Sequence, residues 1–354
     1  MAVKKYSISN DPELYEAWPD VVLTNSGKLI CVFSECLHHI NRDYTRIMLT
    51  ESLDRGRTWS KKHPLTEGTA GLDYYYNCPR IRQLKSGKIV ITIDRLPQIK
   101  DKNGGFIELE NEAEIFLFTS DDDGNTWSDI TPTPVKGIVP DRITELDNGR
   151  LIISAQMRSK ANKLAQYMHY SDDGGKSWSQ RITIAEDDRY NLCEVSILPL
   201  GNGKLAAFMR ENSGFNIECQ KSLSFDNGES WTPVIDFPVP YCHRPTAGFL
   251  NNGQILITCR MRHGGKSGWG ISAQNTIAAL TDVDSVLSLQ RNGAWTRVLP
   301  LDYDRSPVAD TGYTGHVQFS DSEIYVVNYI VDDAVDKGQI RGYSLNLNDF
   351  ILEG

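Results

Sequence analysis

No apolar run in this 354-residue chain approaches a membrane span. The longest stretches, such as Ile255–Cys259, last only a few residues, far short of the ~20 that a bilayer requires. Paired cysteines are missing as well. Seven cysteines are scattered singly and no C-x-x-C occurs, which excludes a zinc ribbon or a redox motif and reads as reduced thiols. The amino terminus, Met1 through Asn10, has no apolar segment of the kind a secretory leader carries; a cytoplasmic location is expected, or secretion if a native signal has been removed. Positive charge is scarce. Lys and Arg number 37 against 46 Asp and Glu, for a formal charge of −9, the wrong sign for general nucleic-acid binding. There is no phosphate loop either, because Asn202-Gly203-Lys204 reads as a hairpin turn. No metal-ligand cluster stands out, and no cofactor is expected.

What remains is ordinary globular material, 40% hydrophobic and 23% charged, so the chain is not disordered. Length alone suggests about two domains, but repeats override that prior. A pattern S-x-D-x-G-x-[TS]-W occurs four times, beginning at Ser52, Ser120, Ser171 and Ser224, with starts 68, 51 and 53 residues apart. Its logic is local: Asp and Ser/Thr bond nearby backbone, Gly supplies a positive φ, and Trp pins the hairpin to an apolar layer. A second pattern, strand–turn–strand, recurs six times about Gly27, Gly87, Gly149, Gly203, Gly253 and Ser322. Six such units predict an all-β fold, one six-bladed propeller over residues 1–354 with blades starting near 18, 78, 140, 194, 244 and 313. The segment Lys4–Ser9 is expected to complete the last blade.

Antiparallel connectivity sorts the residues by end. Starts of first strands and ends of second strands share one mouth, and the Asp-box turns lie at the other. The mouth collects Arg80, Arg142, Glu194, Arg244 and Tyr313 from strand starts, and Arg95, Arg158, Arg210, Arg260 and Arg262 from strand ends. A ring of guanidiniums suits a carboxylate ligand. The plainer alternative is that these arginines pair with blade-end carboxylates.

These features together resemble the sialidase (exo-α-neuraminidase) superfamily of Asp-box propellers, over almost the whole chain. The resemblance implies an acid/base Asp shortly before the first box, where Asp43 precedes Ser52 by nine residues. It implies a Glu opening blade four and an Arg closing that blade's second strand, matched by Glu194 through Leu205 and Arg210-Glu211-Asn212. It implies a nucleophilic Tyr opening blade six, matched by Tyr313, and a further carboxylate-binding arginine after blade five's second strand, matched by Arg260 or Arg262. One element departs. The family's Arg-Ile-Pro at the start of blade one is Ala17-Trp18-Pro19 here, so the first arginine of the clamp is absent, with Arg80 a candidate displaced cation; Arg244, from the arginine ring of the mouth, is a further substrate-binding candidate.

On this resemblance the chain is expected to release a terminal acidic sugar with retention. A neutral phenol suits a substrate that carries its own carboxylate. Glu194 would take the proton of Tyr313, and Asp43 would protonate the leaving oxygen. Trp18 and Tyr74, Tyr75 and Tyr76 are candidates to stack on sugar faces. The expected partner is an acidic glycan, not nucleic acid or membrane; the oligomeric state is not legible. Two alternatives stay open. One is another hydrolase or a lyase for uronate-containing glycans, using His243 or His316 as base, and the other is a non-catalytic glycan-binding propeller.

Overall fold

The computed structural model describes residues 3–99, 109–215, 217–264, 273–333 and 336–351. They form six four-stranded antiparallel sheets arranged as a six-bladed β-propeller. Blade one runs Tyr15–Leu23, Leu29–His38, Asn41–Ser52 and His63–Pro64 from the axis outward, and the next four blades repeat that order. Blade six takes three strands from the carboxyl-terminal region, and its outermost strand is Lys4–Ser9, paired antiparallel with Gln339–Leu345. Pairing both chain ends in one sheet closes the ring.

Alternation within the strands builds the core. In Leu29–His38, Leu29, Cys31 and Phe33 pack toward blade six, while Ile30 and Val32 pack toward blade two. The same division produces an apolar layer between every pair of neighbouring blades. All seven cysteines are buried free thiols.

The four Asp boxes are superimposable in their bonding. In the first, Ser52 Oγ donates to Asp54 Oδ1 and accepts from Gly56 N, while Thr58 donates through both its amide and its hydroxyl to the Asp54 carboxylate. The boxes at Asp122, Asp173 and Asp226 repeat this. Four hydrogen bonds within seven residues explain why so short a motif is self-sufficient.

One irregularity in the innermost strands positions the site. Blades one, four, five and six each shift register by one extra residue, between Ala17/Asp20, Cys193/Ser196, His243/Thr246 and Gly312/Gly315. The bulged residues Trp18, Glu194, Arg244 and Tyr313 all adopt φ between 51° and 55°, as does Val139 in blade three. Cys78 holds the same place in blade two, in the shift between Asn77 and Arg80. Left-handed backbone at bulky side chains costs about 1–2 kcal/mol each, so the surrounding structure must hold it. Bonds from neighbouring strands do so: Glu194 N donates to Gln156 Oε1 at 2.8 Å, Val139 N to Asp94 Oδ2 at 2.9 Å and Gly312 N to Asn328 Oδ1 at 3.0 Å. A bulge re-aims its side chain, and here the bulged residues converge.

Candidate active site

At the point of convergence the Tyr313 hydroxyl donates a short hydrogen bond to Glu194 Oε1, which also accepts from Arg210 Nη1 at 2.9 Å. Arg210 is anchored in turn by Asn212 Oδ1. The Arg244 guanidinium lies 5.6 Å from the centre of the Tyr313 ring, and the Trp18 ring is edge-on to it at 6.3 Å. Burial opposes ionisation of Glu194, but Arg210, Arg260, the Tyr313 hydrogen bond and Arg244 together hold its carboxyl below the usual range. Burial, then the adjacent Glu194 charge, pushes the Tyr313 phenol well above its ordinary value. The pair therefore consists of a neutral phenol aimed at an ionised carboxylate, the arrangement of a nucleophile and its base.

A cationic shell surrounds the pair. Arg260, at the end of blade five's second strand, donates to Asp310 Oδ1 at 3.3 Å and to the Thr311 carbonyl at 3.0 Å, with His243 Nδ1 at 3.3 Å from its Nη2. Burial and the charges of Arg210, Arg260 and Arg262 hold His243 far below its ordinary value, so it is a neutral imidazole. Arg262 is exposed at the rim, and burial of its inner part with repulsion from Arg260 and Arg210 lowers it. Among the described residues, Glu194 Oε2 and the Nε atoms of Arg210 and Arg260 are buried without a protein partner, which leaves hydrogen-bonding capacity at the centre of the shell.

Several expectations are corrected. Arg80 is turned into the axis, where it lies 3.3 Å from Asp20 and donates to Thr246 Oγ1 at 2.9 Å and the Thr314 carbonyl at 3.2 Å; it ties blades together and does not face the mouth. Arg244 is also fully buried, donating to the Pro140 carbonyl at 2.8 Å, so it acts on Tyr313 from beneath and is not an open ligand. Trp18 is only 2% exposed, and its face is covered by the Arg42 guanidinium at 3.9 Å, leaving no platform for a sugar. Arg95 and Arg158 pair with Glu114 and Glu110, as the plainer alternative had it. His316 is buried beside Thr258, pushed down to about 3 by burial, and lines a cavity of about 420 Å³ with Arg142 at the Asp-box end. Asp43 sits within the strand Asn41–Ser52 and accepts from Gln98 Nε2 at 3.0 Å.

Three residues emerge that sequence reasoning passed over. Arg42 is one, since nothing in the sequence indicates that its guanidinium would stack on Trp18. The others are His39 and Asp310. His39 Nδ1 makes a short hydrogen bond to Asp310 Oδ2, which also accepts from Tyr15 at 2.5 Å, while Oδ1 accepts from Tyr329 at 2.9 Å. Burial raises the Asp310 carboxyl, but His39, Arg260 and Tyr15 outweigh it and hold the group near about 2. Among the described residues, Asp11, Glu16 and Glu35 form an acidic trio, and the Lys62 ammonium sits among them at 2.9, 2.6 and 2.6 Å.

Residues 81–326 match the BNR repeat-like domain family. A sialidase of Bacteroides fragilis is 24% identical over 238 residues, which cover 60% of this chain and 42% of that protein; the chain thus matches under half the length of this relative. Among solved structures, a protein of unknown function from Dyadobacter fermentans superposes with a TM-score of 0.78 at 19% identity, covering 98% of both chains. A Hadza microbial sialidase gives 0.69 at 17% identity, covering 95% of this chain and 66% of that one. An intramolecular trans-sialidase from Ruminococcus gnavus gives 0.68 at 14%, covering 96% of each. These likenesses establish a shared propeller.

Proposed function

The chain belongs to the BNR repeat-like domain family, and on that premise we propose that it is a glycoside hydrolase of sialidase type, releasing a terminal acidic sugar through a tyrosine nucleophile. The observation that supports this most directly is the Tyr313–Glu194–Arg210 relay, buried among arginines and built on two strained bulges. A carboxylate nucleophile would repel a substrate that carries its own anion, whereas a neutral phenol does not. Tyr313 Oη attacks the anomeric carbon while Glu194 accepts its proton. Arg210, Arg260 and Arg262 orient the substrate carboxylate, whose bidentate geometry matches a guanidinium fork. Arg42, stacked on Trp18, brings a further cation to blade one, where Ala17 is buried and carries none.

A second reading, in which the sugar is a uronate or another acid, is favoured by that same Ala17. The test covers both. Fluorogenic α-sialoside is assayed beside α- and β-uronides, rhamnosides and galactosides, with wild type and Tyr313→Phe compared. Sialoside turnover lost in Tyr313→Phe supports the first reading, and turnover confined to another acidic glycoside supports the second. No turnover on any of them, with glycan binding retained, would point to a binding propeller.

A further inference from the structure

We propose that His39, oriented by Asp310, is the general acid and base of this site; the assignment rests on the hydrolase reading above. The hairpin joining Leu29–His38 to Asn41–Ser52 turns tightly, with His38 paired to Asn41, so His39 stands at its tip. From there it folds back over the mouth, its ring edge-on to Trp18 at 5.4 Å and to Tyr15 at 6.2 Å. Trp18 is shared with Tyr313 at 6.3 Å, which places the His39 and Tyr313 rings on the same indole and no more than about 12 Å apart. Trp18 and Tyr313 are buried, whereas the His39 side chain is 37% exposed. The imidazole therefore lies across Trp18 from the nucleophile and closer to solvent than it, on the side from which a leaving group departs.

The dyad has the geometry of an oriented acid. Nδ1 is committed to the Asp310 carboxylate, which fixes ring and tautomer, and Nε2 has no protein partner among the described residues. Asp310 is tied in turn to Arg260, so the dyad and the anion shell share one carboxylate.

Strand alternation separates His39 from Asp43. Arg42 projects to the side of Trp18 and blade six. Its successors of opposite parity, Ile47 and Leu49, pack toward blade two, and Asp43 shares their side, bonded to Gln98 of the blade-two loop. Asp43 is thus turned toward blade two, whereas His39, at the hairpin tip, lies against Trp18 and Tyr15.

In the first step the bond from Tyr313 Oη to the anomeric carbon forms and the glycosidic C–O bond breaks. The electron pair of that bond stays on the leaving oxygen, which takes the Nε2 proton of the His39 imidazolium, while the phenol proton passes to Glu194. In the second step neutral His39 accepts a proton from water, the water oxygen bonds to the anomeric carbon, and Tyr313 leaves with the proton returned by Glu194. Asp310 is a positioning residue that holds Nδ1 and so fixes the ring. The charged and titratable groups around His39 are Asp310, Tyr15 and Tyr329, then Arg260 behind Asp310, Arg42 on Trp18, and the neighbouring His38–Asp336 pair.

Two substrates separate acid catalysis from the rest of the mechanism: a nitrophenyl glycoside, whose leaving group needs no proton, and the same sugar linked to lactose. In His39→Asn, kcat/KM, which reports the first step, should fall by about 10²–10⁴-fold on the lactose-linked substrate, with less than about tenfold loss on the nitrophenyl one. Asp310→Asn should likewise cost the lactose-linked substrate more than the nitrophenyl one, because the ring loses its orienting partner. Thermal melts confirm that each variant is folded. If Tyr313→Phe abolishes turnover while His39→Asn treats both substrates as wild type does, the assignment falls and the hydrolase reading stands. The same holds if the leaving-group dependence appears in Asp43→Asn instead. If wild type turns over neither substrate nor any other glycoside, both fall together.

Discussion

Replacing Glu194 by Gln tests the centre of the site through two independent readouts. The amide keeps an oxygen where Tyr313 and Arg210 donate, so shape and acceptor survive and only charge is lost. Three guanidiniums, those of Arg210, Arg260 and Arg244, then lose the carboxylate they share. Removing one partner of a buried ion pair costs 3–5 kcal/mol, and retention of the hydrogen bonds places this change near the lower end, about 3 kcal/mol. With an unfolding entropy of about 2.1 cal/mol/K per residue, a 354-residue protein changes by about 0.7 kcal/mol per kelvin, so Tm should fall by about 4 °C. Because the folded-state carboxyl is depressed, its stabilisation is present above the unfolded value of 4.5 and lost as pH falls through the folded one. The Tm difference should accordingly shrink in acid. In turnover, loss of the base should lower kcat by about 10²–10⁴-fold at neutral pH. The phenol, no longer facing a negative charge, should ionise more easily, so the variant should recover rate as pH rises where wild type does not. Stopped assays from neutral to alkaline pH and scanning calorimetry measure both effects. A Glu194→Gln enzyme with the expected Tm loss but kcat within tenfold of wild type would refute the view that Tyr313 needs Glu194 as its base.

Two further outcomes follow from the same geometry. Asp94 is fully buried and pushed up to about 6 by burial, with Val139 N and Asn77 donating to it. Its folded-state value exceeds the unfolded 3.8, so the folded protein holds an extra proton between them, and stability declines by up to about 3 kcal/mol as pH rises through that window. Asp94→Asn should therefore raise Tm by up to about 4 °C at pH ~7 and by almost nothing at pH ~4; equal melts at pH 7 would contradict it. For Arg42→Ala, loss of a charge-assisted contact of about 1.5–3 kcal/mol should raise KM for an acidic glycoside 10- to 100-fold and leave kcat nearly unchanged. An unaltered KM would remove Arg42 from substrate binding.

The fold and half of the site are local facts. An Asp box satisfies its own donors and acceptors within seven residues, so four copies are recognisable without any neighbour. Strand–turn–strand periodicity then counts six blades, and antiparallel connectivity assigns Glu194, Arg210, Tyr313 and Arg260 to one mouth. Each of the first three opens or closes one of the two inner strands of its blade, which places them together; the relay among them is what the family resemblance implied. Exposure was not legible in the same way. Arg80 and Arg262 both flank inner strands, yet one is enclosed by Asp20, Thr246 and Thr314 and the other reaches solvent. That difference depends on atoms from blades one, five and six meeting at the axis.

The sharpest case is blade one. The residues His39, Arg42 and Asp43 lie within five positions of one another, and the family resemblance ranks the aspartate as the acid. Pairing of His38 with Asn41 sets the hairpin register, and with it the parity that sends Arg42 toward Trp18 and Asp43 toward Gln98. A shift of one residue would exchange those faces. The chain's pattern therefore specifies that a propeller forms and which strand ends gather at its mouth. Which side chain points inward is settled by strand pairing and by partners hundreds of residues distant, such as Asp310 on His39, because a hydrogen bond between blades exists only after the ring has closed.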